Sequence, residues 1–91
     1  MQIHVEFYGI PRQRAGVSDT MVTVPKTPAT LRDVIGLLAK RFPDLATDCF
    51  KGDLLRRGYV ANVGGNQFIK SPDCPLTGTE SLLILSADAG G

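Results

Sequence analysis

SLLILSADAGG, Ser81–Gly91, decides how the rest of the chain is read. Its first half holds the most apolar run in the sequence, Leu82-Leu83-Ile84-Leu85, and its second half is small and polar and stops on two glycines. Four consecutive apolar residues suit a strand whose neighbours cover both faces. The run therefore predicts a central strand at the end of the chain, between the first strand and a later one. The two glycines alone carry little. Ten glycines in 91 residues put a pair at any two chosen positions about one time in 80.

At the other end, Ile3, Val5 and Phe7 alternate with His4, Glu6 and Tyr8, the period of a half-buried strand. Ile10 to Gly16 reads as turn material, punctuated by Pro11 and Gly16. Met21 to Val24 is rich in β-branched residues and stops at Pro25, which predicts a second strand and a hairpin. Thr30 suits a helix N-cap, with Asp33 three residues on where a carboxylate favours the positive end of the helix dipole. Leu31, Val34, Ile35, Leu38 and Phe42 then fall on one apolar stripe, and Pro43 forbids continuation. Gly36 inside the stripe suggests close packing there. Asp44 to Arg57 reads as a loop with one helical turn. Tyr59–Val63 and Gln67–Ile69 read as strands joined by a tight two-residue turn at Gly64-Gly65. Pro72 and Pro75 keep the next segment irregular.

The totals narrow the function. A 91-residue chain is one domain with one core and no room for a deep enclosed active site. Ten basic and nine acidic residues leave +1, and the cations are scattered as Arg12/Arg14, Lys40/Arg41 and Arg56/Arg57. No basic stripe marks a nucleic-acid footprint. No apolar run approaches a membrane span, and MQIHVEFYG alternates where an export signal would be apolar. The expected compartment is the cytosol. Cys49 and Cys74, with only His4 for company, fall short of a zinc site, and they read as buried or incidental thiols. His4 points away from the core if Ile3 and Val5 point inward.

These elements assemble into an α+β domain: a mixed sheet of four to five strands with one main helix packed on one face. That is the β-grasp, or ubiquitin-like, architecture. Residues 1–85 form the domain and 86–91 a tail. At this point the chain resembles the MoaD/ThiS family of ubiquitin-like sulfur carriers. The resemblance rests on IHVEFYG with a basic loop after it, on TLRDVIGLLAKRFP, on YVANVGGNQFI and on CPLTGTESLLILSADAGG. Three details depart from it. The acid after the turn glycine sits one residue late (Gly78-Thr79-Glu80), Gly64-Gly65 stands where the family often has Asn, and Asp88 lies three residues from the end.

The resemblance implies a carried substrate rather than an enzyme. Gly91 would supply the reactive carboxylate, with Gly90 beside it. Tyr8 and Leu85 correspond to family positions that meet the activating enzyme or synthase subunit, and Ala87, Asp88 and Ala89 would enter the partner with the tail. The implied partners are a ubiquitin-activating-type adenylating enzyme that uses ATP, a persulfide sulfur donor and an acceptor synthase subunit, with no permanently bound cofactor. Chemistry agrees with that role. A terminal carboxylate is an anion at pH 7, glycines let a backbone enter a narrow channel, and six extended residues reach about 20 Å. Ser, Cys and His form no readable nucleophile–base motif. Molybdopterin synthesis is the favoured acceptor pathway on chain length. Thiazole, cysteine and tRNA thiolation stay open, as do a protein modifier joined through Gly91 to lysines and a non-conjugated interaction module.

Overall fold

The computed structural model describes residues 1–69 and 71–87. Strand β1 (Gln2–Phe7) buries Ile3, Val5 and Phe7 and turns His4 and Glu6 to the other face, as its alternation requires. The stretch expected to be a turn is instead a six-residue helix, α1 (Ile10–Ala15). Proline near a helix start loses no hydrogen bond that the helix could have made, and Pro11 is buried there. Gly16, at φ 78°, closes the helix in the left-handed region, its N–H donating to Arg12 O at 3.0 Å. Strand β2 (Asp19–Thr23) then returns antiparallel to β1, so the pair forms as expected but through a helix rather than a simple hairpin.

The main helix follows the sequence closely. After a two-residue strand β3 (Ala29–Thr30), helix α2 (Leu31–Arg41) begins in a capping box. Thr30 Oγ1 accepts from the Asp33 N–H at 3.3 Å, and Asp33 Oδ2 accepts from the Thr30 N–H at 3.0 Å. Its buried stripe is Leu31, Val34, Ile35 and Leu38. Phe42 is half-buried and meets Phe7 edge-on, ring centres 5.7 Å apart. The close packing expected at Gly36 is absent, because a Cβ placed there meets nothing within 4 Å.

Pro43 ends α2 and also starts α3 (Pro43–Cys49), seven residues long where a loop with one helical turn was expected. One proline serves both ends because it blocks the preceding turn yet suits the first turn of the next helix. Leu45 and Cys49, four residues apart, put the inner side of α3 into the core. Strands β4 (Phe50–Lys51) and β5 (Leu54–Leu55) form a two-stranded ribbon too short to leave any alternation in the sequence.

Strands β6 (Tyr59–Val63) and β7 (Gln67–Ile69) pair antiparallel. Gly64 and Gly65 both take positive φ, and the Asn66 N–H closes the turn on Val63 O at 3.1 Å. Asn66 is an extra loop residue, since the ladder resumes at Val63↔Gln67. Strand β8 (Pro75–Leu76) pairs with β3, so Pro75 lies in a short ladder rather than in irregular chain. Strand β9 (Leu82–Ser86) completes a five-stranded sheet in the order β2-β1-β9-β6-β7. It runs parallel to β1 and antiparallel to β6. The last strand is central, as expected, but covered on one face only. Leu82 and Ile84 enter the core below the helices, while Leu83 and Leu85 are half-buried on the opposite, open face.

Candidate functional site

The site predicted from the sequence lies where β9 ends. Tyr59 stands opposite Ser86, and the Ala87 N–H donates to Gly58 O at 2.8 Å, so the ladder carries the chain one residue beyond the strand. Ala87 is exposed. Asp88, Ala89, Gly90 and Gly91 lie outside the described residues.

The structure brings Tyr8 and Leu85 together at this root. Phe7 stands opposite Ile84 in the parallel ladder, and the Tyr8 N–H donates to Ile84 O at 3.0 Å. The next position on each strand faces away from the core, which puts the 40 % exposed Tyr8 and the half-buried Leu85 on the open face. Leu85 is therefore not a core residue. The Tyr8 hydroxyl donates to Glu6 Oε1 at 2.9 Å, and the carboxylate holding that proton raises the phenol above its ordinary range. The open face continues through Val60 opposite Leu85 and Asn62 opposite Leu83, to Phe68 opposite Asn62. Phe68 is 51 % exposed. A row of half-buried and exposed apolar side chains beside the tail is a surface fit for protein contact.

The arginines divide. Arg14 pairs with Asp48 on α3, leaving it little freedom to steer a partner. Arg12, Arg56 and Arg57 are exposed and make no ion pair among the described residues. All three sit by the tail root: Arg12 follows Tyr8 on α1, and Arg56 and Arg57 run into Gly58, the partner of Ala87.

Two placements were missed in the sequence. His4 does lie on the open face, but it is not free. Its Nε2 donates to Asp19 Oδ2 at 2.7 Å and its Nδ1 lies 2.7 Å from Ser81 Oγ. The histidine bond holds the Asp19 carboxyl below its usual range. Serine and histidine thus do meet, across 77 positions of sequence. The contact crosses β1, β2 and the approach to β9 and reads as a surface tie, since Asp19 is half exposed. Asn62, the other missed residue, is only 5 % exposed, and its Oδ1 has no hydrogen-bond partner among the described residues. An asparagine inside YVANV, where strands disfavour it, was the available signal.

Both cysteines are free. Cys49 is fully buried, and burial pushes its thiol up, away from reactivity. Cys74 is half-buried near Pro75 O. No group of three or more His, Cys, Asp or Glu among the described residues is arranged to hold a metal ion. No helix among them is long and apolar enough to cross a membrane.

A mixed five-stranded sheet with a parallel pair at its centre, grasping one long helix, is the β-grasp fold, and solved structures agree. SAMP1 from Haloferax volcanii superposes with a TM-score of 0.82 at 17% identity, each chain covering 100% of the other. A putative molybdopterin converting factor, subunit 1, from Pyrococcus furiosus gives 0.73 at 24% identity, over 94% of this chain and 97% of that one. A chain of the Amycolatopsis orientalis BexX/CysO complex gives 0.70 at 22% identity, over 98% and 99%. No protein-family model and no curated protein matches the sequence. The expected resemblance to the MoaD/ThiS carriers is borne out at the level of fold.

Proposed function

We propose that this chain is a ubiquitin-like sulfur carrier of the MoaD/ThiS type, working in the cytosol, with Gly91 as its C-terminus and the Gly91 carboxylate as its reacting group. The observation that carries the reading is the root of the tail. A central strand delivers the chain to the edge of an open apolar face, beside Tyr8 and Leu85 and three arginines that make no ion pair among the described residues. The body docks and the tail reaches into the partner.

An adenylating enzyme supplies the catalysis. A carboxylate oxygen of Gly91 attacks the α-phosphorus of ATP, pyrophosphate leaves, and an acyl-adenylate forms. The terminal sulfur of a persulfide then attacks the acyl carbon and AMP leaves. A thiol cleaves the resulting S–S bond, giving a thiocarboxylate on Gly91 and a disulfide on the donor. The thiocarboxylate sulfur passes to an acceptor bound by a synthase subunit, with molybdopterin synthesis favoured by the likeness to the P. furiosus protein. The chain acts as substrate at every step and binds no cofactor permanently. Asp88 adds a negative charge to a tail that must approach ATP, and it would narrow the choice of activating enzyme.

Incubation with ATP, a ubiquitin-activating-type enzyme from the same organism and a persulfide donor should change the intact mass by one oxygen-for-sulfur exchange. The untreated mass checks that Gly91 is the end of the mature chain. No change with any such enzyme, and undiminished cellular function after deletion of Gly90-Gly91, would favour an inert interaction module.

A protein modifier is the second reading, favoured by the full-length superposition on SAMP1, a small archaeal modifier protein. There a lysine amine displaces AMP and an amide forms. A ladder of higher-mass adducts that disappears with Gly90-Gly91 would select it.

A further inference from the structure

The open face contains a polar group that the fold does not use. Asn62 lies mid-strand on β6, between Leu83 of β9 on one side and Phe68 of β7 on the other. Its neighbours Val60 and Leu85 extend the apolar surface toward the tail. The residue is 5 % exposed, and Oδ1 is shut off from solvent without a hydrogen bond from any described residue. Buried side-chain acceptors in native proteins nearly always have a donor, and an apolar residue of similar size would avoid the desolvation penalty altogether. Asn62 is therefore badly placed for the isolated domain. A complex reaches it if the cover on the β7 side moves, and Phe68, which stands opposite Asn62 on the edge strand, is half exposed and free to swing outward under a partner.

We propose that Asn62 is the polar anchor of this face, accepting through Oδ1 a hydrogen bond from an N–H or O–H that a partner protein presents in the middle of an apolar patch. The charges around the face orient that partner. Glu80, beside Gly64 at the end away from the tail root, and Glu6, beside Leu83, border a shallow cavity of about 410 Å³ that reaches as far as Tyr8. Arg12, Arg56 and Arg57 stand at the other end, by the tail root. A complementary surface carries carboxylates toward the arginines and cations toward Glu6 and Glu80, so only one docked orientation sends the tail inward. A donor over Asn62 sets specificity, since a partner that supplies it gains a hydrogen bond to an acceptor already stripped of water, and a partner lacking it forgoes that gain.

The proposal rests on the carrier reading for its assay, ATP–pyrophosphate exchange by an activating enzyme that accepts the wild type. Asn62→Leu and Asn62→Ala should raise the KM for this protein by about tenfold or more, with kcat nearly unchanged. The melting temperature of Asn62→Leu should be at or above that of the wild type. Arg57→Glu should raise KM as well and weaken its dependence on salt. In ¹⁵N spectra of the wild type, the Asn62 side-chain amide should shift on titration with the enzyme. A folded Asn62→Leu protein with wild-type KM overturns the proposal. If both variants fail to fold, an unmoved Asn62 amide at saturating enzyme overturns it instead. A wild type that is adenylated but never acquires sulfur breaks the sulfur reading and leaves the Asn62 measurements valid. A wild type that no activating enzyme adenylates breaks both.

Discussion

Leu82 and Ile84 are 1 % and 0 % exposed, whereas Leu83 and Leu85, their neighbours on the same strand, are only half-buried. The four side chains are chemically almost identical, and the pleat alone separates them. On one face three helices seal Ile3, Val5, Phe7, Leu82 and Ile84 into the core. On the other face nothing is layered over Leu83, Leu85, Val60 and Phe68 among the described residues. A small domain gains most from burying such residues, so leucines left half-buried on an open face at the tail root support the docking proposed there.

The comparison breaks most visibly at the neighbouring pair Ile84 and Leu85. Ile84→Ala removes buried methylenes from the centre of the core and should cost about 2–5 kcal/mol of stability. The folded fraction should keep its KM in pyrophosphate exchange. Leu85→Ala should cost about 1 kcal/mol or less, yet raise that KM by roughly tenfold, as loss of an interface anchor does. Urea titration and exchange kinetics on the same preparations separate the two. Equal destabilisation by both substitutions would mean that the faces do not differ as described.

The two faces were not equally legible in the sequence. The core face was written in periodicity. Ile3/Val5/Phe7 announced a strand at period two, and Leu31, Val34, Ile35 and Leu38 a helix at period 3.6, because burial on one side imposes a repeat. The centrality of β9 was legible for the same reason, though its three leucines and one isoleucine exaggerated how far it was covered. Helix α1 was missed and α3 read only as one turn within a loop, because six and seven residues are too few to display a period, and because Pro11 and Pro43 look like breakers while serving as helix starts. On the open face, Tyr8 and Leu85 came from resemblance, and no local pattern could have joined His4 to Ser81. Those contacts depend on register between strands distant in sequence.

The best-read element gives the next test. Thr30→Ala removes the N-cap oxygen of α2 and should cost about 1 kcal/mol, with exchange unaffected because α2 lies on the core side. The capping box also carries a pH signature. Burial pushes the Asp33 carboxyl up, but the Thr30 N–H and hydroxyl and the nearby Lys26 outweigh it and hold it below its ordinary value. A carboxyl depressed on folding stabilises the protein above its unfolded value of about 4, and that contribution is lost as pH falls through the lower, folded value. Between pH 5 and 3 the wild type should therefore lose more stability than Asp33→Asn, read from urea midpoints. Equal losses would mean that the box does not hold the charge.

The smallest effect should come from the outer side of α2. Gly36 lowers helix stability by roughly 0.5–1 kcal/mol relative to alanine, and an added Cβ meets nothing within 4 Å. Gly36→Ala should thus raise stability by that amount, a shift of roughly 2–8 °C in Tm for a domain of this size. It borders a cavity of about 370 Å³ with Leu37 and Lys40, on the side of the sheet away from Leu85. If docking belongs to the open face alone, exchange kinetics should not change. A Gly36→Ala protein that is more stable but has a higher KM would show that a partner also approaches the helix, and the division between a structural face and a contact face would have to be redrawn.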